Sequence, residues 1–333
     1  MNSKFKRWEL FLLVIIAAEF VIFGMANPKF LMPRILLSSV NDIISICIIS
    51  LFVTLVMITG GIDIQVGSLV GLASITIGVF WQDFGFNIWV ACLFAVAFSA
   101  ICGAISGFFI GYVKVQAMII TLGGSFLYSG VALSISNLSK TASYKGISGF
   151  PESFLMLSKF RLFGVIPSQL IIFAFLTAIL YVLLEKTKFG RKVFLVGVNE
   201  NAARLSGINT NRIILLTYVL SAVSAAIAGI ILTSYIGTSK SDIGATFTLP
   251  IITSVVLGGT LSSGGKGSVI GTALASVIIG LMRFGLPLCF KVNSQYLDIP
   301  LGLLLLVIIV GRSVFSNRTK FKLGNYLARK ANN

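Results

Sequence analysis

The sequence predicts an all-α polytopic membrane protein of about ten transmembrane helices, folded as a single transmembrane domain over residues 1–333. Three observations predict it. Hydrophobic residues make up 56% of the chain and charged residues 11%, with a mean hydropathy of +1.00, too little polar surface for a soluble domain of this length. Apolar residues gather in runs near bilayer length, such as 170–184 and 213–232, as a hydrocarbon core about 30 Å thick requires. The formal charge of +16 lies mostly between and after those runs. There it reads as a topology signal and a contact for anionic lipid, not for nucleic acid.

The chain has no histidine, which removes the commonest general base and metal ligand. Cys47, Cys92, Cys102 and Cys289 have no metal-type spacing, so no metal site or disulfide framework is expected.

Taken in order, Lys4, Lys6 and Arg7 precede a first apolar run at 10–25. Its small-residue cleavage signal is weak and further spans follow, so it reads as an uncleaved helix entering from the cytoplasm. Glu19 interrupts the run; a mid-membrane carboxylate costs about 2.5–3.5 kcal/mol and should face the bundle, as a structural hydrogen bond before a substrate contact. A second span, 43–59, meets GGIDIQVGS at 60–68. Irregular backbone at that depth survives only where protein or water satisfies it. The stretch is expected as an inner turn, or else a re-entrant element lining a path, with Gly60, Gly61, Asp63 and Gln65 near the cytoplasmic mouth.

The third span, 68–81, is short. The fourth, 88–112, carries Gly103, Ser106 and Gly107 on a helical repeat, a pattern for close helix packing. The fifth, 115–136, has Thr121, Gly123, Gly124 and Ser125 in its first half; these suit packing or a sugar-sized passage, and Thr121 joins the candidate path. Residues 137–165 are placed outside despite Lys140, Lys145, Lys159 and Arg161, with Phe154, Leu155, Phe160 and Leu162 lying on the membrane surface. The inner segments still hold seventeen of the Lys and Arg residues against eight outside, and the bias is statistical.

The sixth span, 170–184, leads to a polar island at 185–212 with six basic residues and two acids, which places it in the cytoplasm. Its second half reads as a short helix capped by Asn199 and ended by Gly207. A seventh span, 213–232, is followed by an outer loop at 238–247, an eighth span from 248 and a glycine-rich inner turn. A phosphate-loop reading of that turn fails, because Thr260 stands where the leading glycine is needed and Gly267 where Ser or Thr must follow Lys266. A ninth span, 269–286, and a tenth, 299–310, close the bundle, with Arg283 and Asp298 at the outer end. The tail, 312–333, is basic with no acid, so both termini are expected inside.

FGRKVFLVGVNENAARLSGI at 189–208, GGIDIQVGS, and VVLGGTLSSGGKGSVIGT at 255–272 resemble, in order and spacing, the signature blocks of the ribose-type (monosaccharide) ABC importer permease family. SDIGATFTLPIITSVVLGG and IIVGRS at 308–313 are most similar to the D-type branch of that family, which serves autoinducer 2 import. Gln65 departs from the serine usual in ribose permeases.

The resemblance implies a permease in the bacterial inner membrane that binds no cofactor. ATP is used by two copies of a separate ABC ATPase subunit, a periplasmic solute-binding protein delivers the ligand, and a second homologous permease completes a heterodimer. It carries the ATPase-coupling role onto Gly190, Arg191, Asn199, Ala202, Ala203, Arg204, Gly207 and Ile208. Ribose or another monosaccharide is the alternative cargo. An ion-coupled secondary transporter would depend on Glu19 and Asp63, a passive channel leaves the island unexplained, and an enzyme lacks a convergent catalytic set.

Overall fold

The computed structural model describes residues 3–293, 296–308 and 310; the basic tail expected at 312–333 lies outside the described residues. The helices are α1 (Ser3–Ala26), α2 (Pro33–Ile58), α3 (Val66–Gln82), α4 (Ile88–Gly111), α5 (Ala117–Ser136), α6 (Glu152–Lys159), α7 (Ser168–Lys186), α8 (Lys188–Val198), α9 (Glu200–Leu205), α10 (Thr210–Ile236), α11 (Thr248–Leu257) and α12 (Val269–Phe290). A further apolar helix, α13, spans Asp298–Ile308. Among the described residues, seven helices (α1, α2, α4, α5, α7, α10 and α12) are long and apolar enough to cross a membrane. The other three apolar helices, α3, α11 and α13, have 10 to 17 residues, and together the two groups account for the expected apolar segments.

Helix α2 is the axle of the bundle. In its most apolar stretch 94% of residues are buried, against 11% for α1 and 22% for α5 and α7. Its hydroxyls are satisfied locally or across the core: Ser50 Oγ donates to Ile46 O at 2.7 Å and Thr54 Oγ1 meets Thr272 Oγ1 of α12 at 2.8 Å. The N-terminal part of α1 is pinned by Trp8 Nε1, which donates to Leu257 O at 3.0 Å.

Helix α4 packs on α10 through a seam of glycines. A Cβ at Gly103 would fall 2.6 Å from Ala222 Cβ, one at Gly107 2.8 Å from Leu215 Cα, and one at Gly111 2.8 Å from Asn211 O. The packing role expected of Gly103 and Gly107 therefore holds, since only glycine lets the two backbones approach this closely. Ser106 differs: it turns toward the 60–65 turn.

Two segments expected on the outer surface go inward. In the 137–165 connection Phe154 is fully buried, against Phe150 and Trp89, and its carbonyl accepts from Ser234 Oγ of α10 at 2.7 Å. Phe160 and Leu162 do remain exposed. Among the described residues four short strands connect the helices: β1 (Ile147–Ser148), β2 (Arg161–Leu162), β3 (Ile166–Pro167) and β4 (Thr238–Ser239). They form two antiparallel pairs, β1 with β4 and β2 with β3.

After β4, residues 240–247 do not stay in an outer loop. They run down the side of α3, because α3 presents glycines to them: a Cβ at Gly78 would overlap Ser239 Oγ, one at Gly71 would overlap Ser241 O, and one at Gly67 would lie 2.6 Å from Gly244 O. Gly78 to Gly67 is eleven residues of helix, roughly 16 Å at 1.5 Å per residue. The descent ends where Thr248 Oγ1 donates to Ile64 O at 3.1 Å, and α11 begins there.

Candidate coupling and translocation site

The polar island folds as two helices, α8 and α9, at one end of the bundle. Thr187 opens α8, its Oγ1 accepting from Gly190 N at 3.3 Å. A Cβ at Gly190 would overlap the backbone of Leu184, so glycine there lets α8 fold back on the end of α7. Val193 and Val196 bury against the core while Arg191, Lys192, Leu195 and Val198 face outward.

Helix α9 follows as the capping signals imply. Asn199 Oδ1 accepts from Ala202 N at 3.0 Å, and Gly207, at φ +81°, ends the helix, with its N–H donating to Arg204 O at 3.0 Å.

Of the eight residues expected to couple to an ATPase, Arg191, Asn199, Ala202, Arg204 and Gly207 are exposed. Gly190 and Ala203 are buried and Ile208 is half-buried. Ala203 and Ile208 pack into the apolar cluster beneath α8 and α9, because the short helix must bury one face to stay seated. The sequence reading missed the apolar part of the outward face: Leu205 is 89% exposed, Val198 71% and Leu195 51%. Its signal was available, as large aliphatic residues inside an otherwise basic, polar segment.

Two sets of contacts fix this ledge to the core. The first is polar. Lys114, between α4 and α5, pairs with Glu200 at the start of α9, and Thr210 Oγ1 donates to the same carboxylate at 3.0 Å. Partial burial pushes the Glu200 carboxyl upward, but Lys114 and Thr210 outweigh it and hold the group below the usual carboxylate value.

The second is steric. A Cβ at Gly197 would overlap Ile58 O at the end of α2 and sit 2.6 Å from Gly265 N. Gly265 N itself donates to Ile58 O at 2.8 Å. A Cβ at Gly264, whose φ is +82°, would lie 2.9 Å from Gly60 N and 3.0 Å from Gly197 O. The three sequence blocks, far apart in the chain, thus meet at one backbone node.

Of the candidate path residues, Gly61, Asp63, Gln65 and Thr121 are buried together in one hydrogen-bonded joint, while Gly60 is exposed. Asp63 is fully buried; its Oδ2 accepts from Ser221 Oγ of α10 at 2.8 Å and its Oδ1 from Gln65 N at 3.2 Å. Ile62 O accepts from Thr121 Oγ1 at 3.1 Å and from the Tyr218 hydroxyl at 3.4 Å. Gln65, also fully buried, accepts at Oε1 from Ser106 Oγ at 2.8 Å. A Cβ at Gly61 would overlap the Tyr218 hydroxyl.

The irregular 60–65 backbone is therefore satisfied by side chains from α5, α10 and α11, which is what allows it below the helix ends, while Ser106 of α4 holds the Gln65 side chain. Tyr218, Ser221 and Thr248 went unnoticed in the sequence, where each is one of several polar groups scattered along an apolar helix, and Ser106 was read only as a packing residue. A cavity of about 490 Å³ between α3, α5 and the 240–245 segment touches none of Gly60, Gly61, Asp63, Gln65 and Thr121. Among the described residues no group of His, Cys, Asp or Glu is placed to hold a metal ion.

Residues 35–328 match the family described as branched-chain amino acid transport system / permease component. The chain is 40% identical over 326 residues to proteins named "Autoinducer 2 import system permease protein LsrD" from Escherichia coli strain K12, Escherichia coli O157:H7 and Shigella flexneri, covering 98% of this chain and 97% of each relative. No solved structure matches. The helix-rich bundle, the node of three shared blocks and a match across most of the chain agree that this protein belongs to the permease component family of these transport systems.

Proposed function

We propose that the chain is the membrane-spanning subunit of an ATP-driven importer of autoinducer 2, with the α8–α9 ledge as the seat of a separate ATPase. The observation that carries the cargo is the 40% identity over 98% of the chain to permeases named for autoinducer 2 import. The ledge supports the coupling role: Leu205, Val198 and Leu195 offer an apolar patch beside Arg191, Lys192 and Arg204. Such a mixture suits a protein groove better than water alone.

In this reading residues 1–333 form one permease domain with both termini in the cytoplasm of a bacterial inner-membrane protein. Two ATPase copies, a second and homologous permease, and a periplasmic solute-binding protein complete the importer. ATP closes the ATPase pair and moves the ledge. The Lys114–Glu200 pair and the Gly197–Ile58–Gly265 node carry that motion into α5 and α2, biasing the bundle between inward and outward states.

A pentose cargo is the second reading, from the ribose-type signature blocks. Gln65, the departure from that signature, closes on Ser106 inside the joint, so it bears on packing more than on cargo. The test is uptake by proteoliposomes holding this chain, its companion permease, the ATPase and the binding protein. Autoinducer 2 should accumulate only with ATP inside and only when the ATPase is present. Uptake driven by a proton or sodium gradient without ATPase would overturn the reading.

A further inference from the structure

The cavity beside α3 lies where the fold does something unusual: it brings non-helical backbone down the flank of a buried helix. Residues 240–247 follow the glycine face of α3 and reach Ile64 before helix resumes. The opposite wall is α5, through Ser129 and Leu133 in the outer half of a 20-residue helix. Irregular backbone at this depth persists where it is enclosed by protein or lines a wet cavity, and interrupted helices are where transporters hold their cargo.

The lining has a definite chemistry. Ser68, Ser129, Ser143 and Tyr144 supply hydroxyls, and Lys240 and Asp242 one charge of each sign. Among the described residues the ion pairs are Lys114–Glu200 and Arg283–Asp298, so Lys240 and Asp242 are not spent on each other. Ser129 Oγ donates to Ser68 Oγ at 2.8 Å, and Ser68 Oγ donates to Ser125 O at 2.8 Å. This fixed hydroxyl relay crosses from α5 to α3 at the cavity wall. A lone carboxylate balanced by an ammonium disfavours a cation, and hydroxyls with charges of both signs along one wall disfavour an acyl chain. A volume of about 490 Å³ is within the range for small-molecule sites, roughly 300–1,000 Å³.

We propose that this cavity is a binding position for a small, neutral, polyhydroxylated molecule in transit, with Ser68, Ser129, Lys240 and Asp242 as its polar contacts. The assignment rests on the importer reading above and adds to the path a cavity that Asp63, Gln65 and Thr121 do not line.

The experiment uses spheroplasts carrying the intact importer with Ser129→Cys in a Cys289→Ser background, since the other three cysteines are buried. A hydrophilic methanethiosulfonate reagent is added outside, with and without autoinducer 2 or D-ribose. Ser134→Cys, exposed on α5 but not in the cavity wall, is the control.

The cavity assignment predicts that the thiol introduced by Ser129→Cys is modified and that one of the two probes slows its modification. Occupancy alone gives about tenfold slowing when the probe is at ten times its dissociation constant; the Ser134→Cys control should be unaffected. Asp242→Asn, added to Ser129→Cys, should raise the probe concentration that gives half-protection. If the Ser129→Cys thiol is not modified, or neither probe slows its modification, the assignment is overturned. Uptake is scored separately in cells carrying the Cys289→Ser importer with Ser129 intact: protection without ATP-driven uptake would sink the importer reading and keep the binding position, and uptake without protection would do the reverse.

Discussion

Replacing Gly197 with alanine tests whether the ledge is seated on the core or merely near it. In an exposed helix the change is favourable, because alanine exceeds glycine in helix propensity by about 1 kcal/mol. Here the new methyl would overlap Ile58 O and lie 2.6 Å from Gly265 N. Both neighbours are backbone atoms already bonded to each other, so no rotamer change relieves the overlap. Overpacking of this kind costs about 1–3 kcal/mol.

Gly130→Ala on α5, where a Cβ would meet nothing within 4 Å, keeps the helix gain without the overlap. The gap between the two variants therefore isolates the steric term. It should appear as a lower apparent Tm for Gly197→Ala, by roughly 2–4 °C per kcal/mol for a chain of this size class. The assay is thermal unfolding of the purified chain in detergent, followed by uptake in proteoliposomes. Equal Tm values would show that α8 does not bear on α2, and the steric half of the coupling scheme would fail.

Two further outcomes follow from the ledge. Leu205→Asp leaves the chain folded, since that side chain is 89% exposed, but should weaken retention of the ATPase about thirtyfold if Leu205 is an anchor worth about 2 kcal/mol; unchanged co-purification would remove it from the docking face. Glu200→Lys should impair ATP-driven uptake more than ATPase retention, and Lys114→Glu added to it should restore uptake, because the pair is a link and not a fold determinant: exposed pairs contribute only about 0–1 kcal/mol. A double variant no better than the single one would argue against the link. Because the Glu200 carboxyl is held below its ordinary value, its contribution is present above the unfolded value and lost as pH falls through the lower, folded one. Reducing pH from neutral to about 6 should therefore leave the link intact, and wild-type ATP-driven uptake, compared with that of Glu200→Gln at both pH values, checks it.

Local signals were the most legible part of the chain. Asn199 and Gly207 bracket α9 because capping needs only atoms within a few residues, and Gly103 and Gly107 announce a packing face by spacing alone. The fate of Asp63 was not legible. Its partner Ser221 lies 158 residues away, and a carboxylate in a glycine-rich turn reads equally as a path residue or a joint.

The 238–247 stretch was misplaced for a different reason. Its polarity and position after a span suggest an outer loop, and its descent depends on Gly67, Gly71 and Gly78 of another helix. Those glycines share a face of α3, so the groove was written in the sequence, but not what would fill it. Gly190 and Ala203 show the same limit at the ledge: they belong to a shared block, yet one accommodates a chain reversal and the other buries the helix's inner face.

The most direct test of the central claim is the side of the membrane on which α9 lies and what covers it there. Leu205→Cys in a Cys289→Ser background should resist a membrane-impermeant maleimide in intact cells. It should react in inside-out vesicles stripped of ATPase and become protected when the ATPase is added back. Labelling of that introduced thiol in intact cells, or labelling in vesicles that the ATPase does not reduce, would contradict the account.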